Sequence, residues 1–417
     1  MMVPIRLSVY LHNSLSGLLW LDDNRRFSFQ YDTNYLKDQD SIPLSLSLPL
    51  REELYTNDTP RPFFSNLLPE GEVRSLIAKI KQISEHNDFK LLEAIGGECA
   101  GAVSIVSEHT AYSTESDYTA LSCQEVEDII EENAIRPVLI IKDELRLSLA
   151  GAQNKIPLYI EEGKFYLTLG IAPSSHILKP QSPYFADVVQ NEHFCMQLAR
   201  AVLLPVSKSF IWKGKNNFAY IVERYDRIKA KNGIIKRLHQ EDLCQVLGFM
   251  PDQKYENEGG PDLSECGRII ELYSSNPILD RQALVKWVIF NYFIGNADAH
   301  GKNISLIREK SGSIRLAPFY DLISTRVYPE ISLKMAMKIG KETRFDWVME
   351  RHWQQMADQL DLKYTYLKRL LKQIAGTLET VMAETADTII SGYSGKKTIQ
   401  KICEIITIRI KHVKTYL

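Results

Sequence analysis

Cysteine is sparse in this sequence. Six occur in 417 residues (Cys99, Cys123, Cys195, Cys244, Cys266, Cys403), and no two form a CxxC pair. That scatter argues against a disulfide framework or a zinc site and favours buried free thiols in a reducing compartment. No apolar run approaches membrane-spanning length, and the N-terminus lacks the basic-then-apolar layout of a secretory signal. A cytoplasmic protein is therefore expected. Net charge is nearly absent too. Lys and Arg number 50 against 52 Asp and Glu, giving a formal charge of -2. No global polyanion-binding signature follows, although local patches are not excluded. There are no internal repeats and no long low-complexity stretch.

The chain has the composition of a globular protein, 45% apolar and 24% charged, and its length calls for two or three domains. Residues 1–110 read as a small α/β unit. IRLSVYL and FSFQY alternate as strands do, SGLLWLDDNRRFSF looks like a hairpin, and RPFFSNLLPEGEVRSLIAKI gives a turn and then a helix. In that helix Pro69 is expected in the first turn. A further helix over Phe89–Ile95 precedes GGECAGAVSIV, which returns as a strand. The polar, turn-rich Ser107–Tyr118 marks a domain boundary. RPVLII, LRLSL, IPLYI, KFYLTL and HILKP then predict an antiparallel sheet of about five strands, interrupted by a helix over 186–204 and closed by FIWK and FAYIVERYD. After Arg227 the pattern is mostly helical. The expected fold is α+β and bilobal, with a sheet lobe over 130–227 and a helical lobe over 228–417 following the N-terminal unit.

One stretch carries most of the chemistry, Lys286 to Thr325. It opens as a helix that is apolar nearly all round (Leu284, Trp287, Phe290, Phe293), the mark of a buried element. The apolar run stops at Gly295-Asn296, and Asp298, His300, Lys302 and Asn303 follow. A short hairpin-like unit, ISLI and SIRLAPF around a Ser-Gly turn, then leads to Asp321. Asp298 and Asn303 stand as D-x-x-x-x-N, the spacing of a protein-kinase catalytic loop. In such a loop the Asp accepts the substrate hydroxyl proton and the Asn holds magnesium. Asp321 can be a second metal carboxylate. Magnesium keeps its waters, so one carboxylate, one amide oxygen and nucleotide phosphates suffice. The bland alternative is that Asp298 and Asn303 only shape a turn. The buried helix before them and Asp321 after the hairpin favour the functional reading. His300 is given a supporting role, since one His in a D-x-H pair is no zinc signature.

Other candidates are less specific. Lys179 ends a strand in SSHILKP, where it could neutralise phosphates or be an exposed strand end. Glu192 lies on an apolar helix face with Val188, Val189, Cys195 and Ala199, so it needs a partner when buried. Lys179, a backbone group or a hydroxyl would serve. SLAGAQNK (148–155) is neither GxxxxGK[ST] nor GxGxxG, and it reads as a phosphate-cradling nest or a plain hairpin turn. VERYDR (222–227) could offer its backbone to an adenine or be a linker with solvated charges. The basic C-terminal helix, with Lys396, Lys397, Lys401, Arg409, Lys411 and Lys414, reads as a solvated face.

FSNLLPEG, GGECAGAV, LSLAGAQNK, HILKP, NEHFCMQLA, VERYDR, QEDLCQ, KYENEGGP, NADAHGKN and FYDLIS, in this order, resemble the HipA family of bacterial serine/threonine kinases, the toxin half of HipBA-type modules. The resemblance implies a Mg-ATP-dependent kinase with Asp298 as catalytic residue and Asn303 and Asp321 on magnesium. It implies that Lys179 meets the phosphates and that Ala150, Gly151, Ala152, Gln153, Asn154 and Lys155 cover the nucleotide. His300 and Lys302 would lie beside the nucleotide, and Glu223, Arg224 and Tyr225 would form the adenine hinge. Ser148 matches the family's autophosphorylated serine, whose modification displaces the phosphate loop. Family substrates include aminoacyl-tRNA synthetases, so the implied outcome is growth arrest through stalled translation. The implied partner is a HipB-like helix-turn-helix antitoxin, which would supply the DNA contacts. Departures are small: Ala299, Gly301 and Tyr225 replace residues common in the family. The N-terminal domain shares the chain, which implies an undivided member. Two other readings stand beside this one: a catalytically idle kinase-fold binding module or corepressor, and a metal-dependent hydrolase using Asp298, His300 and Asp321.

Overall fold

The computed structural model describes residues 5–108, 117–135, 139–141, 144–146, 154–169, 172–230, 234–309 and 312–417. The chain divides into two compact units. One holds Met1–Pro180, Glu223–Asp252 and Ile307–Lys310; the other holds Gln181–Val222, Gln253–Leu306 and Ser311–Leu417.

The first unit begins with a four-stranded antiparallel sheet in the order Phe27–Tyr31, Ser14–Leu21, Arg6–Leu11, Val103–Ser107. Alternation places Leu7, Val9 and Leu11 in the core, at most 1% exposed, together with Phe27 and Phe29. Phe29 meets Tyr31 edge-on at 4.9 Å and Phe64 at 5.7 Å. Short helices Arg61–Ser65, Gly71–Lys81 and Asp88–Ile95 supply the covering side chains Phe63, Phe64, Val73, Ile77, Leu91 and Leu92. Each large apolar side chain so buried contributes about 1.5–3 kcal/mol. Pro69 does not sit in a first turn as expected. The helix begins at Gly71 on an extended Glu70 cap, and the first-turn proline is Pro62, in Arg61–Ser65.

A second antiparallel set in this unit runs His176–Pro180, Ile156–Glu161, Lys164–Leu169, Asp117–Leu121. It differs from the expected five strands in two ways. Leu139–Ile141 and Glu144–Arg146 pair only with each other, and the edge strand Asp117–Leu121 comes from the end of the supposed boundary segment, of which 109–116 lie outside the described residues. The helix Cys123–Ile135 is also unanticipated. Its start is closed by Ser122 and Glu125, which exchange hydrogen bonds as a capping pair. Past Arg227 the chain forms further strands, Arg227–Lys229 paired with Ile235–Arg237 and then His239–Asp242, before the first helix at Leu243–Leu247.

The second unit is mostly helical, with hairpins Ser209–Lys213/Phe218–Glu223 and Lys334–Ile339/Glu342–Arg344. Its centre is the helix Pro277–Ile294, started by Asn276 and Pro277 and buried on all sides from Ala283 onward except at Lys286. Trp287 stacks on Phe319 at 5.7 Å, and Tyr292 meets Trp353 edge-on at 5.2 Å. Around it pack Leu263–Tyr273, Tyr364–Tyr393 and Lys396–Lys414, and Val188–Ala201 packs on the last two. All six cysteines are free thiols; Cys99, Cys195, Cys244 and Cys266 are buried. Among the described residues no helix is long and apolar enough to cross a membrane.

Candidate active site

In the second unit the buried helix stops at Gly295, which adopts a left-handed φ of 69°. A Cβ there would lie 2.9 Å from Arg326 Cγ, so glycine is required on both conformational and steric grounds. Asn296 then turns the chain. Its side chain donates to Asn291 Oδ1 at 2.8 Å and accepts from the Asp298 N–H at 3.0 Å. Thr325 Oγ1 accepts from the Ala297 N–H at 2.7 Å and donates to the Gly295 carbonyl at 3.2 Å. The segment that follows Asp321 is thus bolted to the turn that precedes Asp298. Asn191, on the helix Val188–Ala201, clamps Ser324 from both sides, accepting its N–H and donating to its carbonyl, each at 2.9 Å.

The loop closes on itself. Asn303 Nδ2 donates to the Asp298 carbonyl at 2.9 Å, which leaves the amide oxygen as the atom directed away from that bond. Asn303, His300 and Lys302 are 6–7% exposed, while the Asp298 side chain is 48% exposed. The only solvent-facing carboxylate of the loop is therefore the expected catalytic one. Tyr255 Oη donates to Asp298 Oδ1 at 2.5 Å, and its ring meets His300 edge-on at 5.4 Å. Tyr320 donates to the Lys302 carbonyl at 2.8 Å, tying the residue before Asp321 to the same loop. Asp321 itself has φ 55°, a left-handed conformation that Asp tolerates better than most residues and that often marks functional sites. An amide oxygen and a carboxylate oxygen are hard donors that suit magnesium. Among the described residues there is no cluster of three or more His, Cys, Asp or Glu suited to a metal. Glu192, 3% exposed, adds negative charge near Tyr220 and Cys195; with burial as the larger cause, both groups are held above their ordinary pKa.

In the first unit Lys179 is the fourth residue of His176–Pro180 and is 4% exposed, so it is no exposed strand end. Asn154 and Lys155, half-buried, lead into Ile156–Glu161; Ser148, Ala150, Gly151, Ala152 and Gln153 lie outside the described residues. The VERYDR segment is not a linker with solvated charges. The Arg224, Asp226 and Arg227 side chains are 1–5% exposed. Asp226 accepts from Arg224 Nε at 3.0 Å, Arg227 Nη1 at 2.7 Å and the Gly101 N–H at 2.8 Å. Glu98, from the glycine-rich GGECAG stretch, accepts from Arg224 at 3.1 Å, Arg227 at 3.3 Å and the Ser174 N–H at 2.9 Å. Burial alone would raise both carboxyls, but the two guanidiniums outweigh it and hold them below the usual range. Arg224 is wholly engaged, its N–H on the Ser175 carbonyl and its carbonyl receiving the Arg227 N–H. Tyr225 is held by Gln240 through its hydroxyl. Arg224 therefore braces this segment through both its backbone and its guanidinium. Sequence reasoning missed Glu98, Asn191, Asn296, Thr325 and Tyr255 as site-shaping residues. Glu98, Asn191, Tyr255 and Asn296 lay inside motifs already singled out, and Thr325 ends the Lys286–Thr325 stretch.

An α+β chain that presents a closed D-x-x-x-x-N loop and a second carboxylate on strained backbone is of the protein-kinase-like phosphotransferase class. Comparison with known proteins makes this specific. Residues 7–106 match the HipA N-terminal domain and residues 147–382 the HipA-like C-terminal domain. The chain is 34% identical to "Putative kinase Y4mE" of Sinorhizobium fredii over 98% of both chains. It is 32% identical to the serine/threonine-protein kinase toxin HipA of Shewanella oneidensis, over 85% of this chain and 84% of that one. The solved structure of Shewanella oneidensis HipA with HipB and operator DNA superposes with a TM-score of 0.84 at 27% identity, covering 98% of this chain and 97% of that one. The chain belongs to the HipA family of serine/threonine-protein kinases.

Proposed function

We propose that this chain is an active Mg-ATP-dependent protein serine/threonine kinase that acts as a HipA-like toxin. The observation that carries the reading is the closed loop. Asn303 spends its amide nitrogen on the Asp298 carbonyl, so its oxygen is the group left for a metal, and Asp298 is the loop's solvent-facing carboxylate. Asp298 would hold the acceptor hydroxyl and take its proton as the oxygen attacks the γ-phosphorus and ADP leaves. Asn303 and Asp321 would hold magnesium, which when bound neutralises charge on the phosphates. Lys179 would stabilise the transferred phosphoryl group. Ala150–Lys155 would cover the phosphates, His300 and Lys302 would back the loop beside them, and Glu223 to Tyr225 would hold adenine. We retain the three-part division 1–110, 130–227 and 228–417 as the functional one.

Ser148 would be the autophosphorylation site. A phosphate of nearly two negative charges beside the 150–155 loop would compete for its amides and repel ATP, so the modified kinase would be off. The target would be a translation component, an aminoacyl-tRNA synthetase, with growth arrest and persistence as the consequence. The partner would be a HipB-like antitoxin, with DNA reached through it, in the cytoplasm. The test is intact mass before and after incubation with Mg-ATP, beside an Asp298→Asn control. One added phosphate, mapped to Ser148 and absent from the control, is expected. No gain, from protein that starts unphosphorylated and binds ATP, would point instead to an idle binding module.

A further inference from the structure

The Tyr255 hydroxyl donates to Oδ1 of Asp298 at 2.5 Å, and neither residue owes this contact to chain proximity. The tyrosine is held from every side. Its carbonyl receives the N–H groups of Glu258 (2.9 Å) and Gly260 (3.0 Å). The neighbouring Lys254 carbonyl receives the Gly301 N–H, inside the Asp298 loop, at 3.4 Å. The carboxylate of Glu256 accepts from the Lys338 N–H at 2.6 Å and its ammonium at 2.9 Å. The ring packs edge-on against buried His300, whose Nε2 stands 3.7 Å from the same Oδ1, too far for a good hydrogen bond. Gly260 permits this packing: a Cβ there would lie 1.9 Å from the Gln253 carbonyl oxygen. A mobile plug would not be pinned on both flanks.

We infer that Tyr255 is a positioning residue for phosphoryl transfer, fixing Asp298 through Oδ1 so that Oδ2 faces the acceptor hydroxyl. This rests on the kinase reading of Asp298. A carboxylate on a half-exposed side chain has two torsions to lose before it can orient a nucleophile. One short charge-assisted bond from a rigid phenol removes that freedom in advance and assigns the two oxygens different tasks. The phenol itself transfers no proton and touches no substrate.

The experiment compares wild type, Tyr255→Phe, Asp298→Asn and the double variant. Phosphate transfer from radiolabelled Mg-ATP to the chain and to casein is followed over time, and Mg-ATP affinity is measured by calorimetry. Tyr255→Phe is expected to lower the transfer rate about 10- to 100-fold, with Mg-ATP affinity and melting temperature unchanged. In the Asp298→Asn background it should cost nothing more. A structural role for Tyr255 would instead lower affinity and melting temperature together. Full activity in Tyr255→Phe beside a dead Asp298→Asn would overturn the positioning role and leave the kinase reading intact. Faster transfer by Tyr255→Phe would also overturn it, by making the phenol a competitor of the acceptor. An active Asp298→Asn, or no transfer by wild type, would overturn the kinase reading and this inference with it.

Discussion

Replacing Asp226 by Asn tests whether the buried charges of the VERYDR segment are as dry as they look. The change keeps the side chain's shape and removes one negative charge from a cluster of two carboxylates and two guanidiniums. Glu98 would then face Arg224 and Arg227 alone, with side chains 2% and 1% exposed. Breaking a buried pair by removing one partner costs about 3–5 kcal/mol, because the survivor stays buried and unpaired. For a unit of about 200 residues each kcal/mol moves the midpoint by roughly 2–4 °C, so a drop of roughly 6–20 °C is expected. Differential scanning calorimetry at pH 7 reads it directly. The pH dependence has a fixed sign. Asp226 is held below its ordinary pKa, so its contribution is present above the unfolded value of about 4 and is lost as pH falls through the folded one. The gap between wild type and Asp226→Asn should therefore be full at pH 7 and narrow toward strong acid. A shift under about 2 °C at pH 7 would mean that water reaches the cluster, and the bracing role given to Arg224 would fail with it.

Other outcomes follow from the same structure. Burial pushes Glu241 up to about 7, so its ionisation destabilises the fold as pH rises from about 4.5 to 7. Glu241→Gln should accordingly raise stability at pH 8, by up to about 3 kcal/mol, with no gain at pH 4; an equal effect at both values would exclude the titration. Asn303→Ala removes the amide that closes the loop, and the magnesium concentration for half-maximal transfer should rise at least tenfold (about 1.4 kcal/mol); an unchanged titration would free Asn303 of its metal role. Gly295→Ala forces a Cβ to 2.9 Å from Arg326 at φ 69° and should lower the melting temperature of the helical unit by several degrees, as a cost of at least about 1 kcal/mol requires. Iodoacetamide should label exposed Cys123 in native protein and spare Cys99, Cys195, Cys244 and Cys266 until unfolding, as peptide mass mapping would record; early labelling of Cys195 would contradict its burial.

What could be read from the sequence was whatever a local pattern specifies. The all-round apolar run to Ile294 located a buried helix, and the glycine after it located the helix end. The D-x-x-x-x-N spacing pointed to the exposed carboxylate. Some misses were legible after all. Ser122 and Glu125 spell a capping box ahead of the overlooked helix, and the Asn-Gly in KAKNGIIKR announces the strand pair Arg227–Lys229/Ile235–Arg237. Others were not. The burial of Arg224 and Arg227 depends on Glu98, more than a hundred residues away, and no local composition separates a buried arginine from a solvated one. Asp321's left-handed backbone leaves no mark in FYDLIS.

The hidden part has a common physical character. Asn191, Asn291, Asn296 and Thr325 are buried polar side chains, 5% exposed or less, and each makes at least one hydrogen bond to backbone. An apolar residue of equal size could fill each space, but it would leave a buried N–H or carbonyl unpaired at about 1–3 kcal/mol. Hydrophobic packing alone holds elements to within a rotamer change, whereas these bonds fix the Asp298 turn against the Thr325 segment in one register. Catalysis by positioning needs that register, since the chemistry of phosphoryl transfer asks little else of the protein. The helix Pro277–Ile294 therefore supplies stability through its aromatic face and precision through Asn291 and the Asn296 just beyond its end. Those two jobs explain why a helix that is otherwise apolar from Trp287 onward carries Asn291 in its last turn, with Asn296 just past its Gly295 cap.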